Sequence, residues 1–337
     1  CNGMGKPFLA ITTGDPAGCG PWVGARAALD KRVTRRARPV LVGDAWVVHR
    51  HFRKTPAQVA VLTNLSEYDP RPHRLNVLHV PHPHIASLIL GKPQKVGGVS
   101  AALAVRTAVA LAQIRRVAAV VTGPVSKESF KAAGLPFAGH TEMLAALSGS
   151  GPVEMLMTAK NLRALLVTRH IPLNAVSRQL TAKVLVNSVL RADRWIRSAW
   201  ALRRPSWVVC GLNPHAGDNG LLGREEIRTV IPAVKILRKK GINAVGPFPA
   251  DVTWAKHRAG AFDFVACLYH DQAMIPLKVA AAREVVNVTA GLSFIRTSPG
   301  HGTAFDLAQG RTPFLRADPE ATVQACLTAL RLADNFL

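Results

Sequence analysis

The sequence predicts an α/β fold built from βαβ units around a largely parallel sheet. Two observations carry this. Short β-type runs alternate with longer helix-type runs along all 337 residues. Many of the β-type runs are continuously apolar rather than alternating, as strands are when helices cover both sheet faces. The length, with 48% hydrophobic residues, suffices for two domains or one large one.

In chain order, PFLAI, PVLVG, LNVLHV, VAAVVTG, VEMLMT, RALLVT, SWVVCG, INAVGPF, FVACLYH and VVNVT read as strands. Helical stretches are expected over 98–115, 176–200, 224–240 and 318–335. The Pro/His stretch at 80–98 is the most loop-like insertion, and the Gly/Ser stretch at 148–151 is a hinge between lobes. No run approaches the roughly 18 uncharged apolar residues of a membrane span; the best candidate is broken by Arg106, Arg115 and Arg116. The opening CNGMGKPFLAITTGD lacks the charged-then-apolar order of a signal peptide, so Met4 is expected close to the natural start. The five cysteines are few, odd in number and without a C-x-x-C. They suit a reducing cytoplasm, with Cys210 and Cys267 as small core residues.

Forty-three basic against twenty acidic residues give a net charge of +23. Such a field speeds the approach of small anions and attracts polyanions non-specifically. The densest basic stretch is KRVTRRAR at 31–38. It has no interleaved aromatic residue for base stacking, so a solvated surface is expected there and no nucleic-acid partner.

Ligands of parallel α/β sheets bind beyond the carboxyl ends of the strands. LLVT is followed by Arg169 and His170, WVVCG by Asn213 and His215, and FVACLY by His270, Asp271 and Gln272. Three imidazoles at three strand ends form a known catalytic-metal arrangement with coordination positions left open. A single histidine in such a place is usually a hydrogen-bonded wall residue; the repetition raises the metal reading. The closer-spaced His79, His82 and His84 lie among prolines that suggest an extended exposed loop. His140, Thr141 and Glu142 follow another apolar run, and Lys278, Asn287 and Arg296 follow the third histidine at intervals of nine. Lysine as a point charge and arginine as a planar fork suit phosphate and carboxylate together. The glycine loop TTGDPAGCGP matches neither G-x-G-x-x-G nor a P-loop, so a nicotinamide cofactor is not derivable from pattern.

At these residues the chain resembles the 4-hydroxythreonine-4-phosphate dehydrogenase family of pyridoxal phosphate biosynthesis. The match runs in order through GDPAGCGP, GPVSK, FAGHTEML, VTRHIPL, GLNPHAGDNGLLGREE, GPFPADVTW, YHDQAMIPLK, NVTAGLSFIRTS and HGTAFDLA. The resemblance implies two α/β/α lobes with a cleft between them, similar to isocitrate and isopropylmalate dehydrogenases. The first, cofactor-side lobe is expected over 1–139 and 298–337. The second, over 140–297, is expected to carry the metal, substrate and dimer contacts. It implies a homodimer with a shared active site. One divalent ion (zinc, cobalt or magnesium) is bound per site by His170, His215 and His270, the last from the partner copy. Substrate contacts fall on His140, Thr141, Lys278, Asn287 and Arg296. NAD or NADP is held by His301, Gly302, Thr303, Ala304 and Asp306.

The activity so implied is oxidation of 4-phosphohydroxy-L-threonine to a 3-keto acid, which decarboxylates to 3-amino-2-oxopropyl phosphate. Asp251, Lys278 and His140, in that order, are candidates for taking the hydroxyl proton. The sequence departs from the family pattern at Trp22 (glutamate), Gly300 (aspartate), Ala290, Ser293 and Gln309. These bear on the exact substrate. Relatives oxidise phosphorylated four-carbon sugar acids or aromatic cis-dihydrodiols, which are the alternatives.

Overall fold

The computed structural model describes residues 5–52, 57–308 and 314–336. By chain contacts it divides into two units, one of residues 1–151 and 292–337, the other of 152–291. Helix 140–148 and strand 295–299 therefore belong to the first unit. The boundaries expected from sequence, at 139/140 and 297/298, place the helix in the second and cut through the strand.

The elements of the first unit up to residue 151 are β1 (Phe8–Thr12), α1 (Gly20–Ala28), α2 (Lys31–Thr34), β2 (Arg38–Gly43), α3 (Ala45–Phe52), β3 (Gln58–Leu62), β4 (Arg74–His79), α4 (Lys95–Gln113), β5 (Ala119–Thr122), α5 (Lys127–Ala132) and α6 (His140–Ser148). The second unit holds β6 (Glu154–Ala159), β7 (Leu162–Leu166), α7 (Leu173–Gln179), α8 (Ala182–Ala199), β8 (Ser206–Cys210), α9 (Ile231–Lys239), β9 (Asn243–Phe248), α10 (Ala250–Arg258), β10 (Phe264–Cys267), α11 (His270–Ala281) and β11 (Val286–Ala290). The chain returns to the first unit with β12 (Ile295–Pro299) and α12 (Glu320–Phe336).

In the first unit the strand order is β3-β4-β2-β1-β5-β12, every pair parallel. Its core is the apolar set Leu9–Ile11, Val40–Val42 and Ala119–Val121, buried as the continuous runs required. Helix α4 is 19 residues long and apolar enough by composition to cross a membrane, yet it buries Ala101, Ala104, Val105, Ala108 and Ala112 as a core stripe at helical spacing. Among the described residues it is the one helix of that kind.

In the second unit the order is β11-β6-β7-β10-β8-β9. The pairs β7·β10, β10·β8 and β8·β9 are parallel, whereas β11·β6 and β6·β7 are antiparallel. The expected parallel sheet thus holds for part of this unit only. The physical reason is the Lys160–Asn161 turn, with Lys160 at φ 54°, which leaves no chain for a crossover helix. Two strands escaped the sequence reading. β3 lies at an edge with Gln58 exposed, and β12 reads as polar (IRTSP) although all five residues are buried. The expected helix at 176–200 is two helices, because Thr181 caps α8 by accepting from the Val184 N–H at 3.2 Å. The helix expected over 224–240 begins as a π-helical turn at Glu226–Val230 before α9.

Candidate active site

In the first unit, β1 has β2 on one side and β5 on the other, so the chain leaves these carboxyl ends in opposite directions. This is the switch point where open α/β sheets bind ligands. Gly14 follows β1 at φ +66°, and a Cβ there would lie 2.3 Å from the Pro124 carbonyl oxygen, so the close approach of the two loops requires glycine. The next residue, Asp15, is buried; its Oδ1 accepts from the Ala17 N–H at 3.0 Å and its Oδ2 has no hydrogen-bond partner. Burial raises its pKa above the usual carboxylate value, against the opposing bonds from Ser129 and Ala17.

The same glycine loop meets the residues assigned to the cofactor. The Cys19 N–H donates to the Thr303 carbonyl at 2.8 Å, and Gly18 lies where a Cβ would come within 2.6 Å of that carbonyl. Ala304 adopts a left-handed φ of 47°, His301 and Gly302 are exposed, and Asp306 sits in a 3-10 turn over Phe305–Ala308. Phe305 anchors that turn on Ala17, Val47, Ile85 and Leu88. Two loops nearly 300 residues apart in sequence thus form one surface.

Arg296, on β12, is 1% exposed and donates from Nε and Nη2 to Thr122 Oγ1 at 3.2 and 2.5 Å. Burial pulls its guanidinium down to about 9, so it is charged at neutral pH. His140 opens α6 with its ring edge-on to Phe130, centroids 6.5 Å apart. Its Nε2 is buried without a hydrogen-bond partner. Burial first, and the charge of Arg296 second, hold its pKa well below the ordinary histidine value. The result is a neutral imidazole in the field of a buried cation. Thr141, next on α6, is half-buried.

In the second unit, His170, His270 and His215 leave the carboxyl ends of β7, β10 and β8, three adjacent parallel strands. The His170 and His270 rings lie 5.7 Å apart. His270 Nδ1 is 2.6 Å from Asp271 Oδ1; since the carboxylate only accepts, Nδ1 is the donor of this bond. A metal-ligating histidine commonly donates its other ring N–H to a carboxylate in this way. His215 is exposed in a run, His215–Asn219, whose backbone is left-handed throughout. Among the described residues of one chain, no three His, Cys, Asp or Glu side chains come close enough to hold an ion.

The loops bearing these histidines are braced by residues to which sequence reasoning gave no role. Glu226, 2% exposed, accepts from the N–H groups of Leu212 and Asn213, both at 2.8 Å, and from Asn213 Nδ2 at 2.9 Å. Gln272 accepts from the Leu268 N–H at 2.7 Å and donates to the Gly211 carbonyl at 2.8 Å, tying the end of β10 to that of β8. Thr168 Oγ1 donates to the Leu268 carbonyl at 2.6 Å, tying in the end of β7. Arg169 pairs with buried Glu154 at 2.8 Å. The one legible signal was a glutamate and a glutamine beside apolar runs, which need hydrogen-bond partners once buried.

Of the other expected residues, Asp251 lies exposed in the first turn of α10, Lys278 is exposed on α11, and Asn287 on β11 has a buried Oδ1 without a partner. The segment with His79, His82 and His84 is a loop with Pro81, Pro83 and His84 exposed, but His82 is turned inward. His82 is 8% exposed, its N–H donates to Asp44 Oδ2 at 2.9 Å, and its Nδ1 accepts from the His84 N–H at 3.1 Å. Trp22 is absorbed into the core, stacked on Phe52 at 5.0 Å; Ala290 is buried, Ser293 exposed and Gly300 half-buried, while Gln309 lies outside the described residues.

Residues 35–329 match the family model of the pyridoxal phosphate biosynthetic protein PdxA. The chain is 37% identical over 306 residues, 90% of each chain, to a 4-hydroxythreonine-4-phosphate dehydrogenase of Desulfosudis oleivorans. It is 37% identical over 305 residues, 90% of this chain and 91% of the other, to a protein of Halalkalibacterium halodurans provisionally named as a D-threonate 4-phosphate dehydrogenase. Its fold matches a crystal structure of the 4-hydroxythreonine-4-phosphate dehydrogenase of Klebsiella pneumoniae with a TM-score of 0.88, at 36% identity over 97% of this chain and 100% of the other. Sequence and fold agree: the chain is an oxidoreductase that belongs to the PdxA family of pyridoxal phosphate biosynthetic proteins.

Proposed function

We propose that this chain oxidises 4-phosphohydroxy-L-threonine with NAD and a divalent metal, and that the 3-keto acid product loses carbon dioxide to give 3-amino-2-oxopropyl phosphate. The observation that carries the reading is His140: a neutral imidazole whose Nε2 is buried without a hydrogen-bond partner, in the field of Arg296. A neutral ring next to a fixed cation suits a phosphorylated substrate, since it adds a hydrogen bond to the anion without a second buried charge to stabilise.

The donor chemistry fits a divalent ion. His270 donates through Nδ1 to Asp271, and His170 and His215 leave strand ends of the same parallel sheet. A set completed by a second copy of the chain, as the family resemblance implies for His270, is the reading we adopt. When bound, the ion supplies Lewis acidity toward the hydroxyl being oxidised and the keto group that results, and the nicotinamide accepts the hydride. The loop His301–Asp306, seated on the glycine loop after β1, is where the nicotinamide cofactor would be held. The family resemblance assigns Thr141, Lys278, Asn287 and Arg296 to the substrate's anionic groups, which would orient the reacting carbon. Asp251, Lys278 or His140 takes the hydroxyl proton; pH–rate profiles of Asp251→Asn, Lys278→Ala and His140→Ala separate them.

A second reading is a dehydrogenase of a phosphorylated four-carbon sugar acid such as 4-phosphothreonate. It is favoured by the equal identity to the Halalkalibacterium protein and by the departures at Ala290 and Ser293. The deciding measurement is NADH formation by purified protein with a divalent metal, NAD and each substrate in turn. Turnover of phosphothreonate with none of 4-phosphohydroxy-L-threonine would hand the assignment to the second reading.

A further inference from the structure

We propose that the first unit carries a second anion site, for a ligand bearing a chain of two or more phosphates, in a basic pocket at the amino ends of β1, β2 and β4. It is independent of the dehydrogenase reading and lies at the opposite end of these strands from the glycine loop. The cavity is about 470 Å³, and its lining includes Lys6, Lys31, Arg38, Tyr68, Arg71 and Arg74. That is the size of a small-molecule site.

The pocket is assembled by the fold rather than by one charged run. The stretch 31–38 and the separate segment 71–74 meet there because β2 and β4 pair in parallel, placing Arg38 and Arg74 at neighbouring strand starts. Lys6, just before β1, completes the group. Little neutralises it. Arg71 and Arg74 share one carboxylate, Asp69, at 2.6 and 3.1 Å. Lys6 Nζ donates to the Thr34 carbonyl at 2.9 Å, and Arg38 Nε donates to the Lys6 carbonyl at 2.6 Å; both acceptors are uncharged. Arg38 also lies over the Phe8 ring at 3.8 Å, and Tyr68 meets that ring edge-on at 5.6 Å, so the arginine is fixed in place. Lys31 has no side-chain hydrogen bond or ion pair among the described residues. Five cations thus face one carboxylate, a net charge of four around a single cavity.

Like charges lining one cavity repel within a Debye length of about 8–10 Å, and the pocket lining supplies no matching acids. A ligand with several adjacent negative charges relieves that repulsion, and two or three guanidinium forks match consecutive phosphates. A nucleoside triphosphate and inorganic tripolyphosphate share this chemistry. The compact pocket and its single aromatic wall argue against a nucleic acid, which needs an extended groove with stacking platforms.

The test titrates the full chain calorimetrically with inorganic tripolyphosphate and with ATP at several salt concentrations. The wild type should bind tripolyphosphate once per chain, more weakly as salt rises. The double variant Lys31→Glu/Arg71→Glu should lose at least tenfold in affinity, with the melting midpoint and NADH formation retained; both side chains are exposed and distant from the strand-end loops. Tighter binding of ATP, with the same sensitivity to the variant, identifies a nucleotide; equal binding identifies the bare phosphate chain. Affinity unchanged in the double variant, no binding up to about 1 mM, or binding to duplex RNA alone would overturn the proposal.

Discussion

His140 and His51 show how burial, with a neighbouring cation, sets a residue's chemistry. His51 packs on Phe314 with ring centroids 5.4 Å apart, and its Nε2 is buried without a hydrogen-bond partner. Burial, then the charge of Arg50, lowers its pKa to about 4, against a partial opposing bond to the Pro16 carbonyl. Both histidines are therefore neutral in the fold and would take up protons on unfolding below pH ~6.5. The stability they contribute is fully present above that pH and is lost as pH falls, for His51 down to about 4. The expected size for His51 is of the order of 3 kcal/mol, read as the slope of the urea midpoint between pH 6.5 and 4. His51→Gln should flatten that slope. For catalysis, His140→Ala should lower kcat/KM at least ~100-fold while the circular-dichroism melt stays cooperative. A variant of near wild-type activity would remove the main support for the proposed substrate contacts.

At the scale of elements, the decisive feature is the cross-bracing of β7, β10 and β8 at their carboxyl ends. Gln272 links Leu268 to Gly211, and Gln272→Leu leaves one buried N–H and one carbonyl unpaired. The cost should be about 3 kcal/mol, measurable by chemical denaturation. Glu226 shapes the left-handed run carrying His215, and Gly217 lies so near that a Cβ would come within 2.5 Å of Glu226 Oε2. In Glu226→Gln the new amide would face N–H donors with a donor of its own. Zinc affinity, read by competition with a chromophoric chelator, is expected to fall ~10–100-fold in a protein that still folds. Unchanged affinity would separate this loop from the metal.

For the whole molecule, the implied sharing of the metal site between two copies has a sharp consequence. A mixture of His215→Ala and His270→Ala chains, each inactive alone, should regain about a quarter of wild-type activity after subunit exchange. Half of the dimers are then mixed, and each mixed dimer holds one intact site of two. Ligand sets contained within one chain predict no recovery. The net charge of +23 also belongs to this scale: it is a field over the surface, and the fold concentrates part of it in the pocket between residues 31–38 and 71–74.

The sequence by itself determined the α/β class, most of the strands and the identity of the polar residues at their ends. Continuous apolar runs can only be buried strands or helices, and the polar groups just beyond a buried strand must lie at a sheet rim. It did not reveal β12, because Arg296, Thr297 and Ser298 read as surface until burial partners exist. Nor did it show the β6·β7 hairpin, whose turn is two ordinary residues. Tertiary structure alone decided which strands are neighbours. That put His170, His270 and His215 beyond the ends of three adjacent strands, β7, β10 and β8, gave Glu226 and Gln272 their bracing roles, and seated the glycine loop on His301–Asp306. These depend on contacts between residues far apart in the chain, and such contacts exist only once the chain has closed around its core.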